Sequence, residues 1–239
     1  SLGSAPSRTP SERPPAMPMT APDYTRMFTP GTSFSYENGT TGTLAPVAVG
    51  ELALPTGRLV ACDPFVYLGT GDAEPFTVGV APGRYPVQAA VATLVRAGEE
   101  PGPRPHTRVA AARVLVREEP AVSWELALRP GQDPAELGED EFFGYGVDAG
   151  TGCFYDASAD SAFPGTQDEE GPVWAAMEAV GDGPDVFLAE GEAGHNLTGF
   201  TSGWGDGAYP TWIGRDAAGE VVCFVTDFFV APLDADPAG

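Results

Sequence analysis

The chain contains no lysine; all twelve of its fixed cations are arginine. It has two histidines, His106 and His195, so a metal centre built from three or more imidazoles is excluded. Its three cysteines, Cys62, Cys153 and Cys223, are odd in number and show no CxxC spacing. They read as packing residues of a reduced, cytoplasmic protein. No apolar run reaches the ~20 residues that a membrane span needs. No basic-then-apolar leader stands at Ser1, so neither membrane insertion nor secretion is expected. The Gly-rich loop Gly69–Asp72 (GTGD) lacks the Gly-Lys-Ser/Thr ending of a phosphate loop, which excludes nucleotide binding there.

Positive charge is also missing locally. Residues 130–239 hold one arginine, Arg215, against twenty-two acids, a net of −21; residues 1–129 are nearly balanced at −1. Such a field repels nucleic acid and anionic membrane, and favours a basic protein partner or divalent cations. A solvating surface that keeps the protein soluble is the plainer reading. Arg84, Arg108, Arg113 and Arg117 form the one basic grouping, expected to neutralise the acidic half within the fold.

Glycine (31) and proline (25) are plentiful, which disfavours long helices and multiplies turns. Residues 1–23 are rich in Pro, Ser and Thr and read as a disordered or loosely docked arm. From 24 to 231 a single β-rich domain is expected, with an acidic seam at 130–141, then a frayed tail at 232–239. Residues 44–61 are cut by Pro46, Gly50, Pro55 and Gly57, predicting short strands with turns between them. Asp63-Pro64 predicts a turn. Phe76–Val80 and Tyr85–Arg96, joined by Ala81-Pro82-Gly83-Arg84, predict a hairpin. Thr107–Val116 and Ala121–Leu128 predict two more antiparallel strands. Phe142–Asp156 reads strand, turn, strand. Pro172–Val180 is the best helix, with Pro at its start and Gly181 at its stop. The sum is a mainly β protein, an antiparallel sandwich or open barrel with one or two short helices.

Gly203–Phe229 concentrates the structural signals: two of the four tryptophans, a Gly-Asp-Gly turn and two strands about a second turn. Trp204, Tyr209 and Trp212 cluster there; exposed, they would suit sugar or protein binding, although alternation places at least one in the core. Asp148, Asp156 and Asp206 are the candidate ligand-binding acids. Each adjoins a Gly-rich reversal, and loops of Asp and Gly supply the oxygens that calcium or another divalent cation requires. The spacing departs from an EF-hand, and aspartates also close turns by accepting backbone N–H groups. Cys153, His195 and Asn196 occur in thiol-protease order, but Cys153 falls in a predicted strand rather than at an activating helix start.

The segments VDAGTGCFYD (147–156) and GWGDGAYPTWIGRDAAGEVVCFVTDF (203–228), with PGRYPV (82–87), RVAAARVLV (108–116) and AVSWELAL (121–128), resemble a mostly bacterial family known as domain of unknown function 4241. The resemblance covers roughly Val60–Phe229 and implies neither a reaction nor a cofactor. The leading functional expectation is a non-enzymatic, cytoplasmic binding module whose acidic face meets a basic protein, for instance as antidote to a basic toxin. A divalent-metal hydrolase using Asp148, Asp156 and Asp206 is the alternative, and a structural or assembly role the third.

Overall fold

A computed structural model describes residues 18–181 and 185–233. Its thirteen strands are β1 (Ser33–Ser35), β2 (Thr41–Leu54), β3 (Leu59–Cys62), β4 (Gly83–Val95), β5 (His106–Leu115), β6 (Ser123–Leu126), β7 (Tyr145–Val147), β8 (Thr151–Asp156), β9 (Val186–Glu190), β10 (Asn196–Thr201), β11 (Gly207–Tyr209), β12 (Thr211–Arg215) and β13 (Val221–Asp227). Three short helices join them: α1 (Tyr24–Met27), α2 (Pro64–Tyr67) and α3 (Gly171–Glu178). The mainly β expectation holds, with 39% strand against 13% helix, and one helix more than expected.

All pairings are antiparallel. A seven-stranded sheet runs β1-β2-β4-β5-β13-β12-β6, a four-stranded sheet β3-β8-β10-β9, and β11 pairs with β7 alone. Strand alternation explains how the two larger sheets meet. In β8, Phe154 faces the seven-stranded sheet while Cys153 and Tyr155 face away; in β3, Leu59 and Ala61 face inward while Val60 and Cys62 face outward. The inward set joins Leu52, Leu54, Val87, Val114, Phe200 and Phe224 in the central core. Leu68, Phe163 and Val173 cover the outer face of the four-stranded sheet. Tyr24, Met27, Phe28, Val230 and Leu233 cover the outer face of the seven-stranded one.

Several local expectations fail for identifiable reasons. Pro46 does not break a strand: β2 runs through it for 14 residues, opposite Ala90 of β4. Both the N–H and the carbonyl of Leu44 bond toward the β1 side, so the nitrogen of Pro46 points the same way, past the end of β1, where no ladder bond is lost. Asp63-Pro64 opens α2 rather than a simple turn, with the Asp63 carboxylate capping the Phe65 N–H. Phe76–Val80 is not the first arm of a hairpin. Its N–H groups go to three separate places, Phe76 to the Leu59 carbonyl, Thr77 to that of Leu128 and Val80 to that of Gly57, while β4 takes β2 and β5 as neighbours. Likewise β7 and β8, adjacent in sequence, belong to different sheets.

Residues 18–23, read from sequence as the end of an arm, lie against the domain. The Met19 N–H donates to the Glu141 carbonyl at 3.0 Å, and Met19 and Ala21 pack on the outer core. Residues 1–17 and 234–239 of the expected arm and tail lie outside the described residues. No helix among the described residues is long and apolar enough to cross a membrane.

Two polar contacts bind the layers. Asn196, 1% exposed at the start of β10, accepts the Ala53 N–H (2.8 Å) and donates to the Glu51 carbonyl (2.8 Å), acting as a substitute strand partner for β2. Asp227, at the end of β13, accepts the Tyr24 hydroxyl (2.8 Å) and the Phe229 N–H (2.8 Å), fastening α1 to the last strand. Burial raises the Asp227 carboxyl to about 6 despite those two bonds, which favour the anion.

Asn196→Ala orphans the buried Ala53 N–H and frees the part-buried Glu51 carbonyl, and is expected to cost roughly 1–3 kcal/mol, read as a lower denaturation midpoint at unchanged m. The Asp227 carboxyl is raised from 3.8, so its contribution to stability is complete below pH 4 and is lost as pH rises through 6. Asp227→Asn does not ionise; relative to the wild type it should gain about 2 kcal/mol between pH 4 and pH 7. Denaturant titrations across that range check this.

Candidate functional site

The five residues singled out by sequence fall into four environments. Asp148 and Asp206 come together on adjoining reversals: the Asp206 carboxylate accepts the Gly150 N–H at 3.0 Å, joining the β7–β8 turn to the β10–β11 turn. Both acids are exposed. Asp156 is not with them. It lies at the far end of β8, about 17 Å from the start of that strand at ~3.4 Å per residue, and is fully buried. Its carboxylate accepts the N–H and hydroxyl of Thr56 and the N–H and hydroxyl of Ser158, at 2.5–3.1 Å. That set closes a turn and leaves the side chain no role as a metal ligand. Among the described residues no three His, Cys, Asp or Glu gather in a metal-holding arrangement.

Trp204 and Tyr209 separate as well. Tyr209 is buried against Phe228, its hydroxyl donating to the Gly205 carbonyl at 2.6 Å, so it is a core residue that shapes the Gly-Asp-Gly turn. Trp212 is also buried. Trp204 alone stays open, 53% exposed, with the Arg108 guanidinium 5.0 Å above its ring and His106 at its edge.

The residue that sequence reasoning passed over is Asp63. It is fully buried, and its carboxylate accepts the N–H groups of Phe65 (3.0 Å), Asp148 (3.1 Å) and Ala149 (2.7 Å). Burial raises its carboxyl above the ordinary range, opposed by those backbone donors. The signal was present: Asp before Pro is an N-cap pattern. What sequence did not show is that the second carboxylate oxygen organises a loop 85 residues away. The GTGD loop is explained in the same way, since the Gly69 and Gly71 N–H groups donate to Asp160 (3.1 and 3.2 Å), filling its anion-binding concavity with the chain's own carboxylate.

Cys153, His195 and Asn196 form no triad. Cys153 is buried opposite Cys62, their sulfurs 3.9 Å apart, and burial pushes its thiol well up, the reverse of nucleophile activation. Its partner on β10 is Gly199, four residues beyond His195, and Asn196 is occupied by the backbone of β2.

The charge pattern departs from expectation. Of nineteen described acids between residues 130 and 233, fifteen are exposed. Three ion pairs occur among the described residues: Arg84 with Glu51, Arg117 with Glu119 and Arg215 with Glu125. Every acid in them precedes residue 130, so among the described residues no arginine makes a contact ion pair with the acidic half; Arg117 comes nearest, its guanidinium favoured by the charges of Asp216 and Glu220. Arg113 instead holds Gln88 (2.7 and 3.0 Å) and covers Phe28, and Arg108 lies on Trp204. The unopposed acids include Asp168, Glu170 and Glu178 around α3, and Glu190 and Glu192 at the end of β9, the strand α3 packs on. None of these five carboxylates holds an intramolecular hydrogen bond or ion pair among the described residues.

A family model described as "Protein of unknown function (DUF4241)" matches residues 52–226. No curated protein and no solved structure matches the chain.

Asp63→Asn leaves one of two acceptor oxygens. It should destabilise by roughly 1–3 kcal/mol and speed hydrogen exchange at the Ala149 amide more than at strand amides of the central core.

Proposed function

Since the chain belongs to the DUF4241 family, from which no reaction is inherited, we propose on its own charge distribution that it is a non-enzymatic binding module whose acidic face engages a basic protein. One observation carries the reading: the carboxylates around α3 and the end of β9 are exposed and have no cationic partner among the described residues. Charges left unpaired at a surface cost little in water, yet they set a field that steers a cationic partner and speeds its encounter. A cationic active site on a basic toxin is one target that such a face would block. The same field disfavours nucleic acid. Three unpaired thiols, two of them with sulfurs 3.9 Å apart, suit a reducing compartment such as the cytoplasm.

The metal-dependent hydrolase has less support. Asp148 and Asp206 meet at adjoining turns, but Asp156 is remote and fully bonded. Two exposed carboxylates are few for a hard cation that wants six or more oxygens.

Affinity capture with the immobilised protein tests the reading. Recovered partners should be basic and should elute as salt rises, because such contacts are screened beyond about 10 Å at 0.1 M. Joint replacement Asp168→Lys, Glu178→Lys and Glu190→Lys should lower retention at least tenfold with the thermal midpoint unchanged, since those side chains hold nothing in the fold. Partners that are not basic, or capture indifferent to both salt and the triple replacement, would sink the proposal.

A further inference from the structure

We infer that the pocket between the entry and exit segments of the chain, on the outer face of the seven-stranded sheet, binds an organic ammonium group against Asp227. The pocket has a volume of about 440 Å³, within the ~300–1,000 Å³ typical of small-molecule sites. Met19, Ala21, Pro22, Ala231 and Leu233 give it apolar walls; Tyr36 and Phe229 add two aromatic rings, and Asp227 is its one carboxylate among the described residues.

The electrostatics call for a cation. Asp227 is 2% exposed, and no arginine or histidine is paired with it among the described residues. Its two neutral donors, the Tyr24 hydroxyl and the Phe229 N–H, leave lone pairs on a carboxylate that is ionised above about pH 6. A buried anion without a counter-charge is costly, and a cation in the adjoining cavity offsets that cost where the low dielectric strengthens the pairing. A metal ion fits poorly, since one carboxylate and the Thr20 hydroxyl among apolar side chains do not make a hard-cation shell. An alkylammonium fits each part: the charge to Asp227, the alkyl stem to the apolar walls, and the ammonium face to the aromatic rings.

The backbone gives a second pointer, tied to the same carboxylate. Phe229 has φ +58°, a left-handed conformation that a bulky residue rarely adopts, and its side chain remains 42% exposed. The Asp227 carboxylate holds that conformation through the Phe229 N–H, and Phe142 and Tyr209 flank the ring. Strain of this kind, spent on keeping an aromatic ring at the mouth of a pocket, is a feature of ligand clamps. The inference is independent of the acidic face around α3, which covers the other sheet, so either can fail alone.

Calorimetric titration of the full chain with n-butylammonium chloride tests it, with 1-butanol as the uncharged match. Saturable binding is expected at pH 7.5, at least tenfold weaker for the alcohol, and at least tenfold weaker for Asp227→Asn, a variant expected to stay folded at that pH. Binding should fall about tenfold by pH 5 as Asp227 protonates; the other ionisable groups facing it, Tyr24 and Tyr36, have raised values and stay neutral throughout. A parallel titration with a Gly-Lys-Gly peptide blocked at both ends distinguishes the source of the amine. Tighter binding than butylammonium assigns the pocket to a partner's lysine; equal or weaker binding assigns it to a free amine. No saturable binding of either amine, or equal binding by Asp227→Asn, overturns the inference.

Discussion

Four buried aspartates close the ends of four strands, and the arrangement of this protein depends on them. Asp63 follows β3, Asp156 ends β8, Asp216 follows β12 and Asp227 ends β13. Each accepts the N–H of the residue two positions on: Phe65, Ser158, Ala218 and Phe229. A carboxylate in that position imitates the next carbonyl of a turn and ends the strand without leaving a buried N–H unpaired. Three of the four reach further. Asp63 gathers the 148–150 loop, Asp156 ties down Thr56 and Asp227 holds Tyr24, so local reversals become joints between distant segments.

That use of aspartate divides the acids of the chain into two populations. Those at strand ends are buried, each holds at least two donors, and in two cases, Asp63 and Asp227, burial raises them above the usual carboxylate range. The rest of those in the C-terminal half face water, apart from half-buried Asp160, which holds the Gly69 and Gly71 N–H groups, and none is in a contact ion pair with arginine among the described residues. The arginines turn to other work: Arg113 to Gln88 and the Phe28 ring, Arg108 to Trp204, and Arg215 back to Glu125 of the preceding strand in its sheet. The fold therefore keeps its negative field rather than cancelling it.

Much of this was legible in the chain before its coordinates. Gly and Pro density with alternating apolar residues gave antiparallel β structure, and Pro172 with Gly181 bracketed α3. The strand, turn and apolar strand expected within Gly203–Phe229 are present as β12 and β13, which the structure pairs antiparallel. The expected core role of at least one aromatic near the Gly-Asp-Gly turn was met by Tyr209 and Trp212, leaving Trp204 outside. The two differences have separate causes. Pairing neighbours in sequence joins Phe76–Val80 to β4, and treating proline as a strand breaker puts a break at Pro46 that its nitrogen, facing past the end of β1, makes unnecessary.

The sequence by itself determined the local chemistry: which segments are extended, where the chain turns, how much charge it carries and which half carries it. These follow from side-chain period and backbone preference, which act over a few residues. Tertiary structure alone decided which strands share a sheet, that Asp156 lies apart from Asp148 and Asp206, and that Asp63 meets Ala149. It also decided that the described arginines make no contact ion pair with the acidic half and that Asp227 is buried beside a pocket. Those outcomes turn on burial and on partners tens to hundreds of residues away, and a carboxylate's surroundings, not its type, decide whether it closes a turn, carries surface charge or faces a cavity.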